Sequence, residues 1–125
     1  MKYVHDYEII SYEVNLRKEE IKINTENPST EDEVQLIFNE VFAHYFENEL
    51  FGSVILDICK ETLENFMDYN KKLLEERKMS GWPMMYDDNV ELLNELKKGK
   101  YSYYIISSSY GLRGWILAKD SNMED

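Results

Sequence analysis

The sequence is short of the residues that cross-link or interrupt small folds. It contains one cysteine, two prolines and five glycines among 125 residues. Cys59 has no second cysteine for an internal disulfide, and a lone cysteine fits a reducing compartment. No apolar run approaches the roughly 18 residues of a membrane-spanning helix. The first residues, MKYVHDY, contain no apolar stretch resembling a secretion signal. These absences predict a cytoplasmic protein with no membrane partner.

Histidine and cysteine are too sparse for an obvious metal or thiol site. His5 and His44 are the only histidines, and neither has a second ligand at a spacing typical of zinc sites. Cys59 lies close to Asp57 and Glu61, and neighbouring negative charge raises a thiol pKa. The sequence therefore predicts no metal and no reactive cysteine.

The motifs of nucleophilic and phosphate chemistry are missing too. The serines at 107–109 are not framed by the glycines of a nucleophile elbow. Gly111 and Gly114 are too close together for a phosphate-binding loop and fall in a predicted hairpin. We therefore predict no catalytic residues, no cofactor and no enzymatic activity.

Acidic residues, in contrast, are abundant. Asp and Glu number 25 against 14 Lys and Arg, for a net charge of −11. Such a surface repels phosphate backbones, which disfavours nucleic acid as a partner. It attracts cationic proteins, although negative charge also serves solubility alone. Both interpretations of the charge stay open at this point.

Alternating apolar residues predict a β-hairpin over residues 7–26. Ile10, Tyr12, Val14 and Leu16 fall on one face of its first strand, and Ile21 resumes the alternation after a charged turn.

The segment 34–47 is ambiguous. Its apolar residues recur at helical spacing, and Thr30 with Glu33 forms a capping box before them. The same residues are largely β-branched or aromatic, which favours a strand with a bulge at Asn39–Glu40.

The rest of the chain alternates between strand and helix signals. Residues 54–58 are typical of a buried strand, 62–78 of a helix, and 88–99 of a shorter helix capped by Asp88 and ended by Gly99. Residues 101–109 and 115–118 predict a terminal hairpin, and 119–125 a frayed tail. The expected fold is therefore α+β: a single domain over 1–125, with two α-helices packed on one face of an antiparallel sheet of about five or six strands.

Two sets of side chains are candidate binding residues. The first joins aromatic and acidic side chains suited to a protein interface: Trp82, Tyr86, Asp87 and Asp88, with Glu31, Asp32 and Glu33 as a second acidic cluster. The alternatives are that Trp82 and Tyr86 are buried and that Asp87 and Asp88 only cap a helix. The second set would form a small-ligand pocket under the terminal hairpin: Tyr103, Tyr104, Tyr110 and Trp115.

Four segments also carry a resemblance: YEIISYEVNL (7–16), IFNEVFAHYFENELFGSVILDI (37–58), GWP (81–83) and YYIISSSYGLRGWILAK (103–119). Together they resemble small acidic proteins of Bacillus-like bacteria, whose layout is similar to that of immunity proteins from polymorphic-toxin systems. The resemblance implies a bent strand over 34–47 and carries no catalytic residues. It implies a non-enzymatic protein-binding module, an immunity-type inhibitor that occludes a basic toxin such as a nuclease. The alternative is a small-ligand-binding or regulatory domain with an aromatic pocket.

Overall fold

A computed structural model describes residues 4–124 as a six-stranded antiparallel sheet with a layer of helices. The α+β class is therefore confirmed. The elements in chain order are β1 (Glu8–Asn15), β2 (Glu20–Glu26), β3 (Glu33–Glu47), β4 (Val54–Glu61), α1 (Leu63–Tyr69), α2 (Lys71–Arg77), α3 (Asn89–Lys98), β5 (Ser102–Tyr110) and β6 (Arg113–Glu124). One turn of 3-10 helix, Lys78–Ser80, follows α2.

The sheet closes into a barrel with the strand order β1-β2-β3-β6-β5-β4. Its last seam, between β1 and β4, is short and has Glu8 opposite Val54. Two hydrogen bonds flank that pair: the Ile9 N–H donates to the Ser53 carbonyl at 2.8 Å, and the Ile55 N–H donates to the Tyr7 carbonyl at 2.9 Å. Beyond them, no other strand of residues 4–124 pairs with the edge of β1 that faces away from β2.

Strands β5 and β6 are apolar on both faces because each face is covered. Tyr104 and Ile116 point into the barrel and belong to its core. Their neighbours Tyr103 and Trp115 point outward into a second core, shared with the helices through Phe66 of α1. Alternate side chains of a strand lie on opposite faces, so a continuous apolar run indicates burial on both.

The predicted single helix over 62–78 is wrong in its continuity, and three α-helices are present instead of two. The helix breaks at Asn70, whose backbone leaves the helical region (φ −112°, ψ 18°). The Asn70 amide donates to the Phe66 carbonyl at 3.0 Å and to the Tyr103 hydroxyl at 3.1 Å. An asparagine side chain that bonds local backbone competes with the helical pattern, and the bond to β5 favours the break.

The predicted buried face of β1 is wrong at two positions. A β-bulge lies between Ile9 and Ser11, so Ile10 is the extra residue and its side chain is 54% exposed. Ile9 takes the buried position in its place, while Tyr12 and Val14 pack against the barrel core as predicted. Leu16 lies past the end of the strand and is exposed. A bulge shifts the alternation of faces by one residue, which a strict period of two cannot show.

Residues 34–47 form a strand, as the resemblance implied, and not a helix. The bulge predicted at Asn39–Glu40 is wrong in its position, although Glu40 has φ 50°. The register against β6 shifts between Val41 and Ala43, a little later than predicted. These irregularities let one strand of 15 residues pair with β2 through its first half and with β6 throughout.

The predicted frayed tail over 119–125 is wrong as far as the structure extends. Residues 119–124 belong to β6, and Glu124 lies opposite Gln35 of β3. Asp125 lies outside the described residues. Polar residues suit this end of the strand because backbone hydrogen bonds to β3 hold it, and burial of their side chains is not required.

Candidate functional site

The connection between α2 and α3 holds the first candidate residues. Trp82 is half-buried, and its ring centroid lies 5.9 Å from that of Trp115. Tyr86 is only 8% exposed and belongs to the helical core. Both aromatic side chains therefore anchor the connection and leave little ring surface for a partner.

The exposed side chains of this connection are different ones. Met79 and Met85 are largely solvent-exposed, Met85 at 82%. Asp87, two residues after Met85, is exposed as well. We refer to Met79, Met85 and Asp87 as the connection patch. The candidate residues taken from the sequence include neither methionine, because the flanking aromatic residues looked like the stronger anchors.

Backbone and side-chain contacts hold the connection patch in place. The Lys78 ammonium donates to the Asp87 carbonyl and lies 5.0 Å from the centroid of the Tyr86 ring. The Asp87 N–H donates to the Glu91 carboxylate at 3.1 Å. The patch is thus presented on an ordered segment even though its side chains face solvent.

Asp87 and Asp88 have separate roles. The Asp88 carboxylate accepts the Glu91 N–H at 2.9 Å and caps α3, as the capping interpretation predicted for it. The Asp87 side chain does not make this bond and stays exposed. The two adjacent carboxylates are therefore not equivalent: that of Asp88 is used by the helix cap, and that of Asp87 is not.

The Arg77 side chain covers the outer side of Trp82. The Arg77 guanidinium lies 5.0 Å from the centroid of the Trp82 ring and 5.2 Å from that of Tyr45. Cation–π contacts of this geometry are favourable even at exposed sites. They fix Trp82 between Arg77 and Trp115.

The second acidic cluster lies on the barrel and not in the helical layer: Glu31 and Asp32 are in the β2–β3 turn, and Glu33 begins β3. The Tyr7 hydroxyl donates to the Asp32 carboxylate at 2.8 Å. Glu33 lines an open depression of about 350 Å³ together with Glu26 and Glu124. The structure therefore places the two predicted acidic clusters in different parts of the molecule.

The four aromatic residues of the proposed ligand pocket do not line one cavity. Tyr103 packs edge-on against Phe66 in the helical core, with ring centroids 5.1 Å apart. Tyr104 packs inside the barrel, on the opposite face of β5. Trp115 is 4% exposed, and Tyr110 is exposed at the hairpin end. Within residues 4–124, the buried indole N–H of Trp115 has no hydrogen-bond partner.

Histidine and cysteine environments offer little reactivity. Burial lowers the pKa of His44, a shift that the charge of Glu49 opposes in part. Burial, then the charges of Asp57 and Glu61, raises the pKa of the Cys59 thiol. A thiol with a raised pKa carries little of the nucleophilic thiolate at neutral pH. Among the described residues no three potential ligands are grouped to hold a metal ion.

A further surface lies between β1 and the β3–β4 loop, and sequence reasoning missed it. This groove has a volume of about 560 Å³ and is lined by Glu8, Ile9, Ile10, Ser11, Tyr12, Glu49, Leu50, Phe51, Gly52, Ser53 and Leu112. Ile10, Leu50 and Phe51 expose apolar side chains around it. The adjacent apolar pair Leu50–Phe51, placed directly before a turn glycine, is the signal that could have indicated it.

The chain matches no protein-family model, no curated protein and no solved structure. No helix within residues 4–124 is long and apolar enough to cross a membrane.

Proposed function

We propose that this protein is a non-enzymatic protein-binding domain whose partner is a basic protein. The observation that carries the proposal is the connection patch, where Met79, Met85 and Asp87 are all exposed on one segment held by hydrogen bonds to its backbone. An apolar anchor with a charged neighbour is the usual composition of a protein interface.

The sign of the charge selects the partner. The domain carries a net charge of −11. A field of this sign speeds the approach of a basic protein and slows that of an acidic one or of a nucleic acid. Part of the binding free energy therefore comes from charge and weakens as salt rises.

The methionines supply the contact that is independent of salt. Met79 and Met85 have flexible, polarisable side chains that adapt to the shape of a partner. When a partner covers them, the burial of their apolar surface stabilises the complex by roughly 25 cal/mol for each Å² removed from water. This term fixes where the partner sits, while the acidic field governs how quickly it arrives.

The specific form that we propose is an immunity-type inhibitor of a basic toxin, such as a nuclease. Enzymes that act on nucleic acids bind phosphates through lysine and arginine. An acidic domain placed over those side chains blocks the substrate without any chemistry of its own. This form is supported by the acidic charge and by the resemblance of segments 7–16, 37–58, 81–83 and 103–119.

A tagged pull-down from cells of the source organism, at low and at moderate salt, tests the proposal. We expect one stoichiometric basic protein by mass spectrometry, with less recovered at the higher salt. Asp87→Lys should reduce recovery, whereas Asp68→Lys, the same charge reversal at an exposed position of α1, should reduce it less. A partner that is acidic, or equal recovery with both variants, contradicts the proposal.

A further inference from the structure

Strand β1 has an open edge over most of its length. It pairs with β2 from Glu8 to Asn15, but within residues 4–124 its seam with β4 has a single ladder pair, Glu8 opposite Val54, and backbone bonds only between residues 6–9 and 53–55. The backbone hydrogen bonds of that seam end at Ile9. An unpaired strand edge presents N–H and C=O groups that can pair with another extended chain.

The open edge borders a groove, which we call the β1 groove, defined by residues 8–12 on one side and 49–53 on the other, with Leu112 at its base. Its volume of about 560 Å³ is large enough for several side chains. Phe51 is fully exposed beside it, and Ile10 and Leu50 expose about half of their surface. Exposed apolar side chains next to a free strand edge indicate a surface for a partner.

The base of the β1 groove is ordered before any partner arrives. The Ser53 hydroxyl donates to the Leu50 carbonyl at 2.6 Å and accepts the Leu112 N–H at 2.9 Å. The Tyr12 hydroxyl donates to the Glu49 carboxylate from the other wall. A surface already held in shape loses less conformational freedom on binding.

The charge of the groove indicates the chemistry of its occupant. Glu8 and Glu49 are among its lining residues, and no lysine or arginine is. Glu13 adds a further exposed carboxylate on the same strand. A second copy of this chain would bring another net charge of −11 to the same acidic edge. A basic segment is attracted instead.

We propose that the β1 groove binds an extended, basic and apolar segment of a partner protein, which adds to β1 as an extra strand. Its backbone pairs with the open edge of β1, and alternate apolar side chains enter the groove beside Leu50 and Phe51. Its lysine or arginine side chains face the carboxylates. This is strand addition, in which backbone bonds supply affinity and side-chain contacts supply specificity. The basic character of the segment follows from the carboxylates of the groove, and the inference rests on the proposed function only in that the segment belongs to a partner protein.

A fluorescent peptide of about seven residues that alternates valine and lysine tests the proposal. We expect saturable binding by fluorescence anisotropy, and slower amide hydrogen exchange at residues 10–15 when the peptide is present. Leu50→Ser with Phe51→Ser should weaken binding by about tenfold. Tyr69→Ser with Val90→Ser removes two exposed apolar side chains from the helices, away from both proposed surfaces, and should leave peptide binding unchanged.

Two further probes separate strand addition from plain charge attraction. A peptide methylated on alternate backbone nitrogens loses donors for the ladder and should bind about tenfold more weakly. A peptide that alternates valine and glutamate should not bind. The proposal is overturned if either probe binds as tightly as the unmodified valine–lysine peptide, or if the amides of residues 10–15 gain no protection. It is also overturned if the protein dimerises with rising concentration in sedimentation and the dimer protects the same amides.

The two proposals can fail separately. If the lysine peptide binds the groove but cells yield no basic protein, the groove inference stands and the proposed function does not. If a basic protein is captured, yet the peptide does not compete with it and the Leu50→Ser, Phe51→Ser variant retains it fully, the proposed function stands and the groove inference is overturned.

Discussion

The indole rings of Trp82 and Trp115 pack together at a tilt of 45°, with their centroids 5.9 Å apart. This contact joins the connection between α2 and α3 to strand β6. Because Trp82 is held there, the exposed side chain of Met85 and the carboxylate of Asp87 project from a fixed base. The proposed binding surface is thus positioned by an aromatic residue that contributes little of the surface itself.

Adjacent aspartates should differ in their effect on stability. Asp88→Ala removes the acceptor that caps α3 at the Glu91 N–H, so we expect a loss of about 1 kcal/mol in the free energy of unfolding. Asp87→Ala removes an exposed carboxylate that does not make this bond and should change stability by less than about 0.5 kcal/mol. Urea denaturation followed by circular dichroism measures both. Equal losses would show that the cap is not the source of the effect.

Ser53 should be the most sensitive polar residue of the β3–β4 loop. Ser53→Ala leaves the buried Leu112 N–H without its acceptor, and we expect a loss of about 2 kcal/mol. Ser109→Ala, the same change at an exposed position of β5, serves as the control and should be nearly neutral. Thermal unfolding of both variants at one pH provides the comparison, and a neutral Ser53→Ala variant would contradict the contact.

Gly114 should tolerate no side chain. A Cβ there would lie 1.9 Å from the Tyr45 carbonyl oxygen, and this backbone atom of β3 cannot move aside cheaply. We expect Gly114→Ala to destabilise the fold by about 3 kcal/mol or more. Glycine is needed at this position because of the close approach and not because of the backbone angle, since of the two hairpin glycines only Gly111 has a positive φ, 80°.

The control for that variant separates crowding from backbone strain. Gly52 has φ 81° and open space around its Cβ position, so Gly52→Ala should cost only about 1–2 kcal/mol. Chemical denaturation of the two variants gives the ranking directly. A larger loss for Gly52→Ala than for Gly114→Ala would mean that β3 and β6 are not packed as described.

The Tyr12 hydroxyl should lose its proton at a higher pH than an ordinary tyrosine. Burial, with the hydrogen bond to Glu49 and its charge, raises the pKa of Tyr12 to about 12 from an ordinary 10.0. The folded protein therefore keeps a proton that the unfolded chain loses. The resulting contribution to stability is complete below about pH 10 and is lost as the pH rises towards 12.

Carbon-13 NMR of labelled tyrosine rings resolves this titration. Glu49→Gln should lower the pKa of Tyr12 without restoring the ordinary value, because burial remains. Glu47→Gln, the control, removes one carboxylate charge at the nearby end of β3 and should leave the pKa of Tyr12 unchanged. An unchanged titration in Glu49→Gln would show that the carboxylate does not contact the hydroxyl.

Local patterns predicted the strands well where pairing is also local. The β1–β2 hairpin follows from alternation on both sides of a charged turn. Barrel closure did not follow, because it depends on the pairing of β3 with β6, whose residues are far apart in the chain. The bulge at Ile10 and the helix break at Asn70 depend on contacts with β2 and Tyr103, so propensity and periodicity could not locate them.

The side chains that the sequence suggested for the α2–α3 connection are only in part the ones that the structure exposes. The segment around Trp82 and Asp87 does leave side chains exposed, but hydrophobic burial draws Trp82 inward and leaves Met85 outside. The sequence alone does not distinguish an apolar residue that packs in the core from one that stays exposed, because the residue type is the same in both cases. Phe51 was missed for that reason, and only the open seam of the barrel reveals it.

The most direct test of the account is the salt dependence of affinity for the captured basic partner. Isothermal titration of the purified partner into the wild-type domain and into Asp87→Lys, at low and moderate salt, measures it. We expect the affinity to fall as salt rises, and Asp87→Lys to bind more weakly with a shallower salt dependence. An affinity that neither salt nor Asp87→Lys changes would contradict electrostatic capture of a basic protein.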